Sequence, residues 1–284
     1  MVQAGLVLEG GGSRGVFTAG VLKYLMDEDI YLPYVIGVSA GACSGSSYIS
    51  RQKDRNRAVN MDFLDHAEYL SFRNYVKKRE LFGMDFLFER LPNELVPYDF
   101  DAYSQAEEEF VVGTTDCMTG ESVYYKKSEN RDPKDLLTIL RASSSLPFVA
   151  PVVPFDGRIL MDGGISDPIP IKQSVKEGNA KNVVVLTQNR DYIKKPQSFG
   201  WYFRKKYRTY PGLINAVAKR HHVYNETLQY IREEEKKGNI FVISPIEKLE
   251  VGRVERSREK LMHLYEQGQS EAKQLVPALK EFLK

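Results

Sequence analysis

LVLEGGGSRGVFTAG, residues 6–20, passes from a short apolar run through a burst of glycine into a helix-forming segment. Gly10, Gly12 and Gly15 satisfy G-x-G-x-x-G. Between a strand and a helix such a loop makes an anion site. Without Cβ atoms the backbone comes close, and the N–H groups at a helix start point outward at the positive end of its dipole. A dinucleotide pyrophosphate is one candidate anion. That reading requires an acidic residue at the end of the next strand, to bind the ribose hydroxyls. The next strand is YVIGV (34–38), followed by SAG, and Asp27, Glu28 and Asp29 stand before it rather than after.

The second strand runs instead into Gly37-Val38-Ser39-Ala40-Gly41, a G-x-S-x-G pentapeptide. Two glycines permit a tight strand-to-helix turn that forces the serine into a strained, exposed position. If the first two strands are parallel neighbours, both loops lie at the same carboxyl edge of the sheet. A serine nucleophile needs N–H donors aimed at the developing oxyanion, and the loop from Gly10 to Gly12 can supply them. Alone, the pentapeptide also reads as a tight turn with an incidental serine. Its pairing with the glycine loop favours catalysis.

The rest of the chain sets the frame. Its 284 residues suffice for one large α/β domain, and 42% apolar with 27% charged residues is an ordinary globular composition. A net charge of +2 gives no general reason to expect nucleic acid as a partner. Cys43 and Cys117 have neither disulfide nor metal-ligand spacing and read as small packed hydrophobes; no metal or cofactor is expected. The first strand begins by Ala4, which leaves no room for a signal peptide, and no apolar run is long enough to span a bilayer, so a cytoplasmic protein is the expectation.

Strand-like runs fall at 4–9, 34–38, 109–115, 121–127, 182–187 and 239–244. Several are continuously apolar, as in strands buried on both faces of a largely parallel sheet. Helical segments alternate with them, which predicts a three-layer α/β/α sandwich. The run EFVVGTTDCMTGESVYY (109–125) predicts a hairpin. Ile214, Val217, His221, Tyr224, Leu228 and Ile231 form one apolar stripe, predicting a helix over 213–237 capped by Gly238. Residues 255–283 predict one or two further helices, with Gly268 and Pro277 as breaks. No linker divides the chain. A single domain over 1–284 is expected, with covering segments at about 61–100 and 188–212 and a helical C-terminal part from 213.

A serine nucleophile needs a base. Ser39 comes too early for the chain order of an α/β-hydrolase triad. Of His66, His221, His222 and His263, none has a motif around it, and His221 reads as a packed core residue. Asp162 follows an apolar run and precedes Gly163-Gly164, glycines that let the backbone turn sharply after a carboxylate. In isolation this stretch is an ordinary Asp-Gly turn.

The ordered set GGGSRG (10–15), GVSAG (37–41) and DGG (162–164) resembles the patatin-like phospholipase family. The resemblance extends to TTDCMTGE (114–121), RASSSLPFVAPV (141–152) and YRTYPGLINAVAKRHHVYN (207–225), the last similar to the bacterial single-domain branch. It implies a patatin-like fold and a Ser–Asp dyad, with Ser39 as nucleophile and Asp162 as base. It also implies an oxyanion hole from the N–H groups of Gly11 and Gly12, with Gly10 in support. Arg14 would meet either an anionic head group or a carboxylate that steadies the loop. Asp167 departs from the pattern, since relatives often carry Asn there.

The implied activity is acyl ester hydrolysis through an acyl-enzyme, with phospholipid as the leading substrate. A carboxylesterase or thioesterase of the same fold remains open. A dinucleotide-binding protein and a non-catalytic lipid binder fit less well. Trp201, Tyr202 and Phe203 interleave with Arg204, Lys205 and Lys206, a composition that suits either peripheral membrane contact or an ordinary covering loop. Ser143, Ser144 and Ser145 lack an elbow and read as a helix end near the acyl pocket.

Overall fold

Both faces of the apolar strands are covered. In the computed structural model, which describes residues 3–69, 83–129, 132–196, 200–247 and 249–284, the strands form one sheet. They are β1 (Ala4–Leu8), β2 (Tyr34–Val38), β3 (Glu109–Asp116), β4 (Ser122–Lys126), β5 (Val153–Phe155), β6 (Arg158–Asp162), β7 (Lys181–Val185) and β8 (Ile240–Ile243). The strands β3, β2, β1, β7 and β8 lie side by side in parallel. Along β1, Leu6 and Leu8 enter one apolar cluster and Val7 the other; along β7, Val183 and Val185 oppose Val184 in the same way. Side chains alternate between faces, so burial on both gives a continuous apolar run.

The helices are α1 (Gly15–Asp27), α2 (Ala40–Ile49), α3 (Arg55–Met61), α4 (Phe100–Gln105), α5 (Asp135–Ser143), α6 (Ile171–Lys176), α7 (Trp201–Lys206), α8 (Pro211–Lys236) and α9 (Arg258–Phe282). A π-helical stretch spans Phe86–Leu95. Residues of α1, α2 and α9 pack on one face of the sheet, and residues of α6 and α8 on the other. This is the expected α/β/α layering. Parts of the two expected covering segments, 70–82 and 197–199, lie outside the described residues.

Three expectations about helices meet the structure differently. The helix predicted over 213–237 starts two residues earlier, with Pro211 in its first turn, where a missing N–H is harmless. Gly238, at φ +79°, follows its end in the left-handed conformation that glycine favours. His221 is only half-buried and stacks on His222 at 3.9 Å, so it is not a core histidine; the stripe's buried members are Val217, Tyr224, Leu228 and Ile231. The C-terminal segment is one helix, unbroken by Gly268 or Pro277. Gly268 is instead where α9 crosses α1. A Cβ there would collide with the carbonyl of Phe17, and one on Gly20 with the carbonyl of Tyr265.

One feature of the sheet positions the site. The predicted hairpin is β3–β4, and β4 occupies one edge of β3 over 111–115. The opposite edge is shared. Parallel β2 covers 109–113, and antiparallel β6 covers 114–116. The two strands therefore meet end to end: Val38 closes β2 opposite Gly113, and Asp162 closes β6 opposite Thr114. Neither β5 nor β6 was among the strands read from the sequence. Their turn, Asp156 and Gly157 at φ +49° and +69°, is an Asp-Gly hairpin turn whose signal was present.

Candidate active site

The chain leaves β2 and enters α2 within one residue. That residue, Ser39, holds φ +53° and ψ −128°, a conformation most L-residues avoid. The turn fits because its flanks are glycine. A Cβ on Gly37 would lie 2.8 Å from the Ala42 nitrogen, and one on Gly41 2.5 Å from the Leu8 carbonyl. Ser143, at the end of α5, fastens the elbow. Its hydroxyl accepts the Ser39 N–H at 2.8 Å and donates to the Gly113 carbonyl at 2.7 Å. The serine triplet thus contributes a positioning residue that no sequence pattern singled out.

Asp162 arrives from the opposite direction on β6. It is 1% exposed. Its Oδ1 accepts the Gly164 N–H at 2.8 Å, its carbonyl accepts the Thr115 hydroxyl at 2.8 Å, and its own N–H donates to the Ser145 carbonyl at 2.9 Å. Gly163 has no room for a side chain, because a Cβ would strike the Gly113 carbonyl and approach Val38. Burial raises the carboxyl pKa above its ordinary value, against the opposing pull of Arg220, the Ser39 hydroxyl, the Gly164 N–H and Arg253. The hydroxyl of Ser39 is near enough to favour the carboxylate, yet Oδ2 makes no hydrogen bond of ordinary geometry.

The glycine loop lies beside this pair. Gly10 packs on Ser39, and its N–H is taken by the Pro168 carbonyl at 3.3 Å. Gly10 is therefore corrected from donor to packing residue. Among the described residues, the N–H groups of Gly11 and Gly12 have no acceptor. Gly12, at φ +59°, lies under the Arg253 carbonyl, which accepts the Ser13 N–H at 3.0 Å. Gly15 makes room for Ala40, whose Cβ would lie 2.5 Å from its own. Glu9, 2% exposed, anchors the loop's start by accepting the Thr187 N–H at 2.6 Å and the Tyr224 hydroxyl at 2.8 Å.

Ser39 stands between two cavities. One, of about 380 Å³, is walled largely by apolar side chains such as Leu87, Phe88, Leu140, Leu146 and Val149. The other is a narrow polar cleft of about 20 Å³ bounded by Glu9, Gly11, Asp162 and four cations: Arg14, Lys194, Arg220 and Arg253. Arg14 makes no ion pair within 4.0 Å among the described residues, and its Nε is buried without a partner, so the loop-steadying salt bridge is not formed. Arg220 donates from Nε to the Gly164 carbonyl at 2.6 Å. Burial, with Arg253 beside it, lowers the Arg220 pKa to about 10. Lys194, 7% exposed over the face of Tyr224, is lowered by burial and by Arg220 and Arg253 to about 7.

Sequence reasoning missed Lys194, Arg220 and Arg253, which come from separate segments with no shared motif. Of the four histidines, none lines either cavity. Asp167 is engaged elsewhere than at Asp162: the Tyr124 hydroxyl donates to it at 2.6 Å, and burial raises its pKa. Phe203, read as an interfacial aromatic, is 3% exposed in a cluster with Tyr207, whereas Trp201 is 73% exposed. No helix among the described residues is long and apolar enough to cross a membrane.

Comparison with known proteins gives the chain's family and fold. A sequence model described as a domain of unknown function matches residues 210–284. YjjU of Escherichia coli (strain K12) is 31% identical over 255 residues, 84% of this chain and 68% of that protein. A lysophospholipase NTE1 of Scheffersomyces stipitis is 25% identical over 206 residues, 69% of this chain but 12% of the yeast protein's length. The crystal structure of VipD from Legionella pneumophila superposes with a TM-score of 0.51 over 98% of this chain and 67% of that one, at 14% identity, a likeness of fold alone. The model of the patatin-like phospholipase family matches residues 6–175, the span holding the glycine loop, the elbow and Asp162, and the chain belongs to that family.

Proposed function

We propose that the protein hydrolyses lipid acyl esters with Ser39 as nucleophile and Asp162 as its base. The observation that carries this reading is the end-to-end meeting of β2 and β6 on β3, which sets a strained serine against a buried carboxylate. The Ser39 oxygen attacks the ester carbonyl while Asp162 takes its proton. The N–H groups of Gly11 and Gly12 receive the oxyanion, and the alkoxide leaves with the proton from Asp162. Asp162 then removes a proton from water, which attacks the acyl carbonyl; the bond to Ser39 breaks, the acid leaves, and Asp162 returns the proton to the Ser39 oxygen. Burial of Asp162 makes it a stronger base than an exposed carboxylate.

The apolar cavity supports a fatty acyl substrate, since its 380 Å³ falls among pockets that enclose small ligands, about 300–1,000 Å³. The likeness to lysophospholipases supports a glycerolipid. Exposed Trp201 and Tyr202 on α7, followed by Arg204, Lys205 and Lys206, support contact with a lipid surface. Replacing both aromatics by Ala is expected to weaken binding to anionic liposomes while sparing hydrolysis of soluble esters. Unchanged binding would remove the membrane contact from the proposal.

The decisive test combines fluorophosphonate labelling with p-nitrophenyl ester hydrolysis. Ser39→Ala is expected to abolish labelling, and Asp162→Asn to lower kcat by about 10²–10⁴-fold. His221→Ala should leave turnover intact. Wild-type activity that survives Ser39→Ala would refute the assignment.

A further inference from the structure

The match to the family ends at residue 175, yet the site takes two of its supports from the 210–284 segment, whose sequence model has no function attached to it. Between β8 and α9 the chain passes over the glycine loop as a strap fastened at both ends. At one end the Asn189 amide donates to the carbonyls of Pro245 and Glu247 at 2.8 Å each, and Glu271 accepts the Ile246 N–H at 2.9 Å. At the other, the Glu255 carboxylate accepts the N–H groups of Arg256 and Ser257 at 2.9 and 3.0 Å, and Ser257 caps α9. In between, the strap grips Ser13 twice. The Ser13 N–H donates to the Arg253 carbonyl at 3.0 Å, and the Ser13 hydroxyl accepts the Glu255 N–H at 3.0 Å.

Ser13 directly follows the two glycines whose N–H groups would receive the oxyanion. With its own N–H taken by the strap, the peptide planes around Gly12 are fixed and the donors of Gly11 and Gly12 are the ones left free. Donors set in place beforehand need no reorganisation when charge develops, which is the source of their effect. On the other side of Ser39, Arg220 of α8 does a matching job for the carboxylate. Its Nε donates to the Gly164 carbonyl at 2.6 Å, and the Gly164 N–H in turn holds Asp162 Oδ1 at 2.8 Å. Burial raises the Asp162 pKa, and Arg220 opposes that rise more than the Ser39 hydroxyl, the Gly164 N–H or Arg253 does.

We propose that the C-terminal segment is a working part of the active site: its strap, through Ser13, sets the oxyanion donors, and its Arg220, through Gly164, sets the base. This rests on the acyl hydrolase reading. Ser13, Glu255 and Arg220 are positioning residues, and the chemistry assigned to residues 6–175 depends on a segment outside them.

The test compares wild type with Ser13→Ala, which deletes the hydroxyl and keeps the N–H, and with Arg220→Gln. An alkyl trifluoromethyl ketone reports the oxyanion hole: the Ser39 oxygen adds to its carbonyl carbon, the serine proton passes to Asp162, and the carbonyl oxygen becomes the oxyanion. Ser13→Ala is expected to lower kcat for p-nitrophenyl esters by about two- to tenfold, the worth of one hydrogen bond, and to weaken the ketone by the same factor, with KM unchanged. Ser13→Thr, which restores the hydroxyl, should recover both. Amide exchange across residues 9–15 should quicken in Ser13→Ala. Arg220→Gln is expected to move the acid limb of kcat/KM to higher pH, because the carboxylate loses the cation that favours it, and Arg220→Lys should bring the limb back. Glu9, Arg14, Lys194 and Arg253, which share the cleft with Asp162, are present in both Arg220 variants, so the shift reports Arg220. Unchanged kinetics and exchange in Ser13→Ala strike the strap from the proposal, and an unmoved acid limb in Arg220→Gln strikes Arg220. A lower Tm with kcat, ketone affinity and acid limb all unaltered makes the contacts structural only, and overturns the inference while the hydrolase stands. A wild type that neither hydrolyses the ester nor takes the ketone overturns the hydrolase reading and this inference with it.

Discussion

Ser39 carries its strain in its backbone. At φ +53° and ψ −128° it occupies the mirror image of the extended region, which glycine enters freely and serine does not. Ser39→Ala keeps that strain and Ser39→Gly releases it. The glycine variant is expected to be more stable than the alanine variant by about 1–3 kcal/mol in urea denaturation, with both inactive. Equal stabilities would mean the turn is unstrained. On the acyl hydrolase reading, Asp162 sets the pH profile. As a base it must be ionised, and burial raises its pKa, so kcat/KM should rise with pH through a midpoint above the ordinary value of about 3.9. An acid limb at or below that value would show that the carboxyl is not desolvated. At this scale the sequence was legible where a residue sits inside a local motif, as Ser39 does in its elbow and Asp162 before its two glycines. Arg220, Arg253 and Lys194 sit inside an amphipathic helix and two loops, and only the fold brings them together.

Among the elements, α1 and α9 show how a misleading residue type is used. Glycine and proline in 255–283 suggested breaks, but Gly268 is a crossing point against α1. Helix propensity alone predicts that Gly268→Ala stabilises the protein by about 1 kcal/mol. The clash with the Phe17 carbonyl predicts the reverse, a loss of about 1–3 kcal/mol. Thermal denaturation of the variant decides between the two signs. The buried parallel strands were readable because burial on both faces writes a continuous apolar run. The three-residue strand β5 carries no such run, and in β6 it shrinks to Ile159-Leu160-Met161. Pro154 sits exposed inside β5 and Arg158 exposed at the start of β6, so the signal was a short apolar run and an Asp-Gly turn.

For the molecule as a whole, a net charge of +2 conceals an uneven distribution. Cations collect at the cleft, and their burial, with their mutual repulsion added to it, is a stability term. Lys194 titrates at about 7 in the fold and at about 10.4 when unfolded. Between those values the unfolded chain binds the proton that the folded one has released, so stability from this residue rises with pH through that window. Below it the full penalty is present. Lys194→Met is expected to raise Tm at pH 6 and to flatten the rise in stability from pH 7 to 10. A variant with the wild type's pH dependence would place the lysine in water.

The meeting of β2 and β6 on one edge of β3 also governs when the chemistry can begin. A chain emerges from the ribosome from its N-terminus, so the serine elbow is exposed to the cell long before the strand that bears the carboxylate, and residues 220 and 253 follow later still. A half-made chain carries a serine with no base and a glycine loop with no cover. On the acyl hydrolase reading, a nascent or truncated copy is chemically inert towards the membranes around it. Competence to cleave lipid arrives in one step, when the far strands join the sheet.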